Sequence, residues 1–160
     1  MKIVLILLGF ALISTTNIYA QKEIKPKLSK IESLFKKGEL IEAKEISDVS
    51  ISYEKTMDNP KTWYLRGLIY MALDTSASMV GVTNDALKTS ISSFIKSDAL
   101  IEDKSNELFI ADDYGYPTTK TQQIESYWGF YYNKAATAFG EKDFVEAITS
   151  FNNAALIKPN

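Results

Sequence analysis

The sequence has no cysteine and no histidine, with only 4 prolines and 7 glycines in 160 residues, and each shortage removes a class of answer. Without those two residue types the chain cannot build a Ser-His-Asp triad, a cysteine nucleophile or a usual zinc site. The missing cysteine excludes a lipoprotein anchor as well. It leaves the redox compartment open and means only that stability must come from packing. An excess of charge of one sign is also lacking: 18 Lys and Arg against 20 Asp and Glu leave −2, which argues against a general nucleic-acid binder. Beyond Gln21 no stretch is long or apolar enough to span a bilayer. What remains, 46% hydrophobic and 24% charged, is the composition of one ordinary globular domain.

The N-terminus reads differently from the rest. Lys2, the apolar run Ile3 to Ile13, and Ile18-Tyr19-Ala20 form the three parts of a secretory signal, with cleavage expected after Ala20. An uncleaved anchor is the alternative, and the short apolar core favours the signal. A Lys-led signal of this length suits a bacterium, so the expected address is periplasmic or secreted. The folded part is then residues 21–160.

Within it the hydrophobic period is helical almost throughout. Leu28, Ile31, Leu34 and Phe35 form one stripe, Lys37-Gly38-Glu39 breaks it, and a second runs from Leu40 through Ala43, Ile46 and Val49 toward Tyr53 before Asp58-Asn59-Pro60. Pro60 opens the next helix, which carries Trp63 to Leu73. Residues 75–85 are a loop of small polar types, and a helix follows over Ala86 to Ile101. The stretch 103–120 is a long junction in which Asn106 to Ala111 is expected to make a short helical turn and Asp112 to Pro117 a loop. From about Thr121 to Phe139, Ile124, Tyr127, Trp128, Tyr131, Ala135 and Ala138 share one helix face, with Tyr132 and Phe139 flanking it. So aromatic a helix is expected to be covered on more than one side. The last helix spans Val145 to Lys158.

Two of these helices look like copies. Ser90-Ile91-Ser92-Ser93-Phe94 lies over Ala147-Ile148-Thr149-Ser150-Phe151, Ser97 over Ala154, and Ala99-Leu100-Ile101 recurs as Ala155-Leu156-Ile157. Trp63, Gly67 and Tyr70 fall at the spacing Trp-x-x-Leu-Gly-x-x-Tyr, with Arg66 in place of the Leu. Ala147, Phe151, Ala154 and Pro159 follow the spacing of the companion helix. Gly38 to Ala43 matches the connecting turn, while Ser47 replaces an aromatic. Tyr131 and Ala135 stand where Trp63 and Gly67 stand one unit earlier. On these residues the chain resembles the tetratricopeptide-repeat proteins.

The resemblance implies an all-α fold, a short right-handed superhelical solenoid of about three antiparallel helix pairs with strand content near zero. The units would be 27–59, 60–102 and 121–160. It makes Trp63, Gly67, Tyr70, Ala147, Phe151 and Ala154 the residues of the helix crossings. Arg66 and Lys134 are expected to extend their charged heads to solvent. It also puts Tyr64, Leu68, Met71, Tyr132, Ala136 and Phe139, with Leu28, Glu32 and Phe35, along a groove. That groove is either open to an apolar segment of a partner or covered by the chain's own helices. It further makes Pro159 a junction into another repeat, so an apolar face of the last pair is expected to stay exposed and to favour self-association.

Functionally, the expectation is a non-catalytic scaffold of the bacterial envelope that binds an apolar protein or peptide segment, with no nucleic acid and no cofactor. A structural repeat segment of a larger envelope protein is the alternative. Ser-x-x-Lys occurs at Ser33/Lys36, Ser52/Lys55 and Ser93/Lys96, where about two matches arise by chance and the companion motifs are missing. These are read as solvated helix faces, and Asp112-Asp113 as a plain acidic turn.

Overall fold

The computed structural model describes residues 25–159 apart from 80, 104, 106, 112 and 113. The signal at Met1 to Ala20 and the Asp112-Asp113 turn lie outside the described residues. The elements are α1 (Leu28–Lys36), α2 (Leu40–Ser50), α3 (Pro60–Thr75), α4 (Ala86–Leu100), β1 (Phe109–Ala111), β2 (Pro117–Thr119), α5 (Lys120–Gly140) and α6 (Phe144–Ile157), with one 3-10 turn at Ala77–Met79. The fold is therefore mostly helical. Among the described residues no helix is long and apolar enough to cross a membrane.

Local chemistry fixes the helix ends. Asn59 accepts from Lys61 N–H at 2.9 Å while Pro60 takes the first helical place of α3, where a missing N–H costs nothing. Thr119 and Gln122 form a reciprocal capping box on α5, and Asp143 accepts from Glu146 N–H at the start of α6. The α1–α2 and α5–α6 turns share one geometry. Gly38 (φ +73°) and Lys142 (φ +66°) are left-handed, and the next N–H reaches back to Leu34 and Ala138 carbonyls respectively.

The helices pack in consecutive pairs, α1 with α2, α3 with α4 and α5 with α6. Gly67 makes the closest crossing, between α3 and α4. Phe94 lies against it and Ser90 Oγ donates to its carbonyl at 2.8 Å, while Ser97 Oγ donates to Pro60 O at 2.9 Å, so the two helices run antiparallel. One buried cluster joins Ile31 and Leu34 of α1, Ala43 and Ile46 of α2, and Tyr64, Leu65, Leu68 and Ile69 of α3 with Phe94. A smaller one around Tyr127, Tyr131 and Ala154 holds the last pair.

Three expectations are corrected. Strand content is small but real: β1 and β2 pair antiparallel, Phe109 with Thr119 and Ala111 with Pro117. Phe109–Ala111 is thus a strand rather than a helical turn, because Ile110 is drawn into the main cluster and Gly115, at φ +85°, supplies the reversal. Second, α2 stops at Ser50 and does not continue toward Tyr53. Thr56 Oγ1 donates to Ser50 O, Thr62 Oγ1 to Thr56 O and Trp63 Nε1 to Met57 O, each at 2.7 Å, so side chains satisfy carbonyls that helix would have used. Third, Arg66 is not a snorkelling cation. Its Nε donates to Asp48 Oδ1 and its Nη1 to Ser93 Oγ, both at 2.9 Å, with the guanidinium 4.6 Å from the Tyr70 ring centroid. It ties α2, α3 and α4 together.

Candidate functional site

One carboxylate of α3 ties two tyrosines of the last helix pair to it. Asp74, at the end of α3, accepts from Tyr127 Oη at 2.6 Å and Tyr131 Oη at 2.5 Å. Burial, reinforced by the bond to Asp74, pushes both phenols far above the usual tyrosine range, so they remain donors at any ordinary pH. At the base of α5, Lys120 is buried and paired with Asp98 of α4, and burial lowers its pKa. Small residues form the seam itself: Ala135, Ala138, Ala147, Ser150 and Ala154 are all buried, which lets α5 and α6 approach closely.

Beside that seam the two helices present an apolar face. On α5 it is the row Trp128, Tyr132, Ala136, Phe139; on α6 it is Phe144, Ile148, Phe151, Ala155, both at three- and four-residue spacing. The rows meet across the seam. Tyr132 and Phe151 have ring centroids 5.7 Å apart, as have Phe139 and Phe144, and Trp128 stacks on Tyr132 at 4.9 Å. Tyr132, Phe139, Phe144, Ile148 and Phe151 are between 39% and 62% exposed. Four of the charges near this face are paired within the chain. Lys134 bonds Glu146 at 2.9 Å, and Lys158 bonds Glu125 at 2.5 Å while lying 5.8 Å from the Trp128 ring centroid.

The predicted groove is split by the fold. Tyr132, Ala136 and Phe139 are exposed on this face, but Tyr64 and Leu68 have no solvent exposure and Met71 is half-buried. The physical reason is that α1 and the β-hairpin fill that side of α3: Ile31, Leu34 and Ile110 share the cluster with Tyr64 and Leu68. Tyr64 Oη is left buried without a hydrogen-bond partner, and burial, followed by the nearby Glu107 and Glu32 charges, raises its pKa well above the ordinary value. Glu32 pairs with Lys61 at 2.7 Å and so belongs to an α1–α3 contact. Leu28 and Phe35 pack partly buried on the same cluster.

Of the crossing residues, Gly67, Tyr70, Ala147 and Ala154 are buried, and Tyr70 Oη donates to the Asp48 carboxylate at 2.9 Å. Trp63 is half-buried. Phe151 does not enter its crossing but stands 39% exposed on the apolar face. The expected cover on more than one side of α5 is present, α6 against Ala135 and Ala138 and α3 with α4 against Tyr127 and Tyr131, while Phe130, Tyr132 and Phe139 remain exposed on what is left. Among the Ser-x-x-Lys pairs, Ser93 is buried and held by Arg66 and Thr89 O, so it is no solvated position, and Lys96 instead lies 6.0 Å from the Trp63 ring centroid.

The sequence pointed to an exposed apolar face on the last helix pair but not to which residues of α6 meet Tyr132 and Phe139. The repeated 128, 132, 136, 139 and 144, 148, 151, 155 spacing was the available signal. Asp74 and Asp48 were missed. Asp74 alone left a trace, as a charged residue directly after the apolar run Met71-Ala72-Leu73. A second concavity of about 620 Å³ lies between Asp98, Ile101, Glu107, Leu108, Lys120 and Thr121. Its one buried cation is already matched by Asp98.

Comparison with protein-family models, curated proteins and solved structures produced no match.

Proposed function

We propose that the chain is a non-catalytic interaction scaffold of the bacterial envelope, built as a tetratricopeptide-like array of three helix pairs, that docks an apolar protein surface on the outer face of α5 and α6. The observation that carries this reading is the face of five large half-exposed side chains, four aromatics and Ile148, with no charge in its two rows. The shared turn geometry at Gly38 and Lys142 and the small-residue seams support the repeat assignment. The same face, turned away from the Asp74 contact with α3, suits the second reading, in which a further repeat of a larger envelope protein stacks there.

The test is affinity capture from envelope extract with the wild type and with a Phe144→Glu/Ile148→Glu variant of equal helicity. A protein retained by the first and lost by the second supports the reading. Equal retention by both places the interaction elsewhere.

A further inference from the structure

The α5–α6 face is an apolar patch toward the upper end of what monomers leave in water, about 300–600 Å², where such patches are often functional. Phe, Tyr and Trp each offer about 150–250 Å². At the exposures found, Tyr132, Phe139, Phe144, Ile148 and Phe151 together expose on the order of 500 Å². A stable interface needs about 800 Å² on each side, and Trp128, Ala136, Ala155 and neighbouring stems extend the patch toward that figure.

Its composition selects among partners. Interfaces between different soluble proteins are about as polar as the rest of their surfaces, whereas homodimer interfaces are more apolar and resemble a core cut in half. This face has no charge within its two rows, and along its flanks Lys134 with Glu146 and Lys158 with Glu125 already satisfy each other inside the chain. The turn at one end adds Glu141, Lys142 and the capping Asp143, of both signs, so no cluster of a single sign stands there to recruit a partner of opposite charge.

The relief points the same way. Each row alternates large side chains with one alanine, Ala136 between Tyr132 and Phe139 on α5 and Ala155 beyond Phe151 on α6. A surface that carries both knobs and gaps is self-complementary when a two-fold axis brings it against itself.

We propose that the occupant of this face is the same face of a second copy of the chain, giving a two-fold dimer joined through a four-helix layer of α5, α6 and their symmetry mates. The proposal rests on the reading of α5–α6 as the interaction face. The axis passes near Ala136 and Ile148, midway between the Tyr132–Phe151 and Phe139–Phe144 ring pairs.

Two measurements test it, on protein expressed from the complete coding sequence and purified with the N-terminus the cell leaves on it. The first is light-scattering mass over a concentration series. The wild type is expected at twice the monomer mass, and Phe144→Glu/Ile148→Glu, both exposed positions, at the monomer mass with unchanged helicity. The second uses the absence of native cysteine. Ile148→Cys is expected to cross-link into a covalent dimer on mild oxidation, while Ser52→Cys, in the exposed turn after α2, is not. Ile148→Cys also decides the matter if the double variant fails to fold.

A dimer that survives the double variant, or cross-links equally through both cysteines, overturns the proposal. So does a wild type that stays monomeric throughout. In that last case a hydrophobic dye separates the two ideas: binding to wild type but not to the variant leaves an open face for a different partner, and no binding to either removes the docking face as well.

Discussion

Gly67 offers the sharpest test of the packing, because two physical effects there have opposite signs. Replacing a helix-interior glycine by alanine removes backbone freedom from the unfolded chain and ordinarily stabilises by about 1 kcal/mol. At Gly67 a Cβ would lie 2.5 and 2.6 Å from Phe94 Cε1 and Cδ1 and 3.0 Å from Cζ. Ordinary carbon contacts begin near 3.5 Å, so the ring must retreat by roughly 1 Å. Tyr64, with its centroid 6.3 Å away, limits the retreat on one side, while a cleft of about 220 Å³ between Phe94, Ile91, Tyr127 and Leu156 gives part of the space on another. Overpacking of this kind costs about 1–3 kcal/mol. Gly67→Ala is therefore expected to be neutral to destabilising by about 2 kcal/mol.

Gly129, inside α5, is the internal control. A Cβ there meets nothing within 4 Å, so Gly129→Ala is expected to stabilise by about 0.5–1 kcal/mol. Urea unfolding followed by circular dichroism measures both, and their midpoints should move in opposite directions. In a Phe94→Leu background the clash is gone and Gly67→Ala should recover its helical gain, a coupling that a double-mutant cycle reads directly. Equal stabilisation by Gly67→Ala and Gly129→Ala would refute the close crossing of α3 and α4.

Asp74→Ala removes the acceptor shared by Tyr127 and Tyr131 and is expected to destabilise by about 2–3 kcal/mol, with Tyr127→Phe costing less; thermal unfolding checks the order. Lys142→Gly relieves a left-handed residue at φ +66° and is expected to raise stability by about 1 kcal/mol, whereas the same change at the neighbouring Lys134 is expected to lower it. Burial pushes the Asp48 carboxyl up, but bonds from Lys44 and Tyr70 and the Arg66 charge outweigh it, leaving its pKa below the ordinary 3.8. A folded pKa below the unfolded one stabilises above the unfolded value and is lost as pH falls through the folded value, so Asp48→Asn should flatten the stability profile below about pH 4.

The parts of the fold that depend on nearest neighbours were readable. Three- and four-residue spacing located all six helices, and Asn59-Pro60 marked where α3 begins. The parts that depend on who arrives from elsewhere were not. Three residues of strand carry no measurable period, so Phe109–Ala111 was indistinguishable from a helical turn until Pro117–Thr119 paired with it. Arg66 looked like a solvated departure from an apolar position because its partners, Asp48 and Ser93, lie on other helices.

The groove shows the same division in one pair of equivalent sites. Tyr64 and Phe94 in the second unit correspond to Tyr132 and Phe151 in the third, yet the first two are buried and the second two half-exposed. The pattern of residue types alone gives no reason for this. Tyr64 is covered by α1 and the β-hairpin, and for Phe94 a single methyl group supplies the difference. Phe94 sinks onto α3 because Gly67 leaves the space that a Cβ would fill. Ala135 stands at the corresponding place on α5 and carries that Cβ, so Phe151 is held outward and meets the Tyr132 ring at 5.7 Å instead of burying itself in the seam. A glycine in one unit lets a phenylalanine into the core, and an alanine in the next leaves its counterpart at the surface, where Phe151 joins the apolar face of α5 and α6.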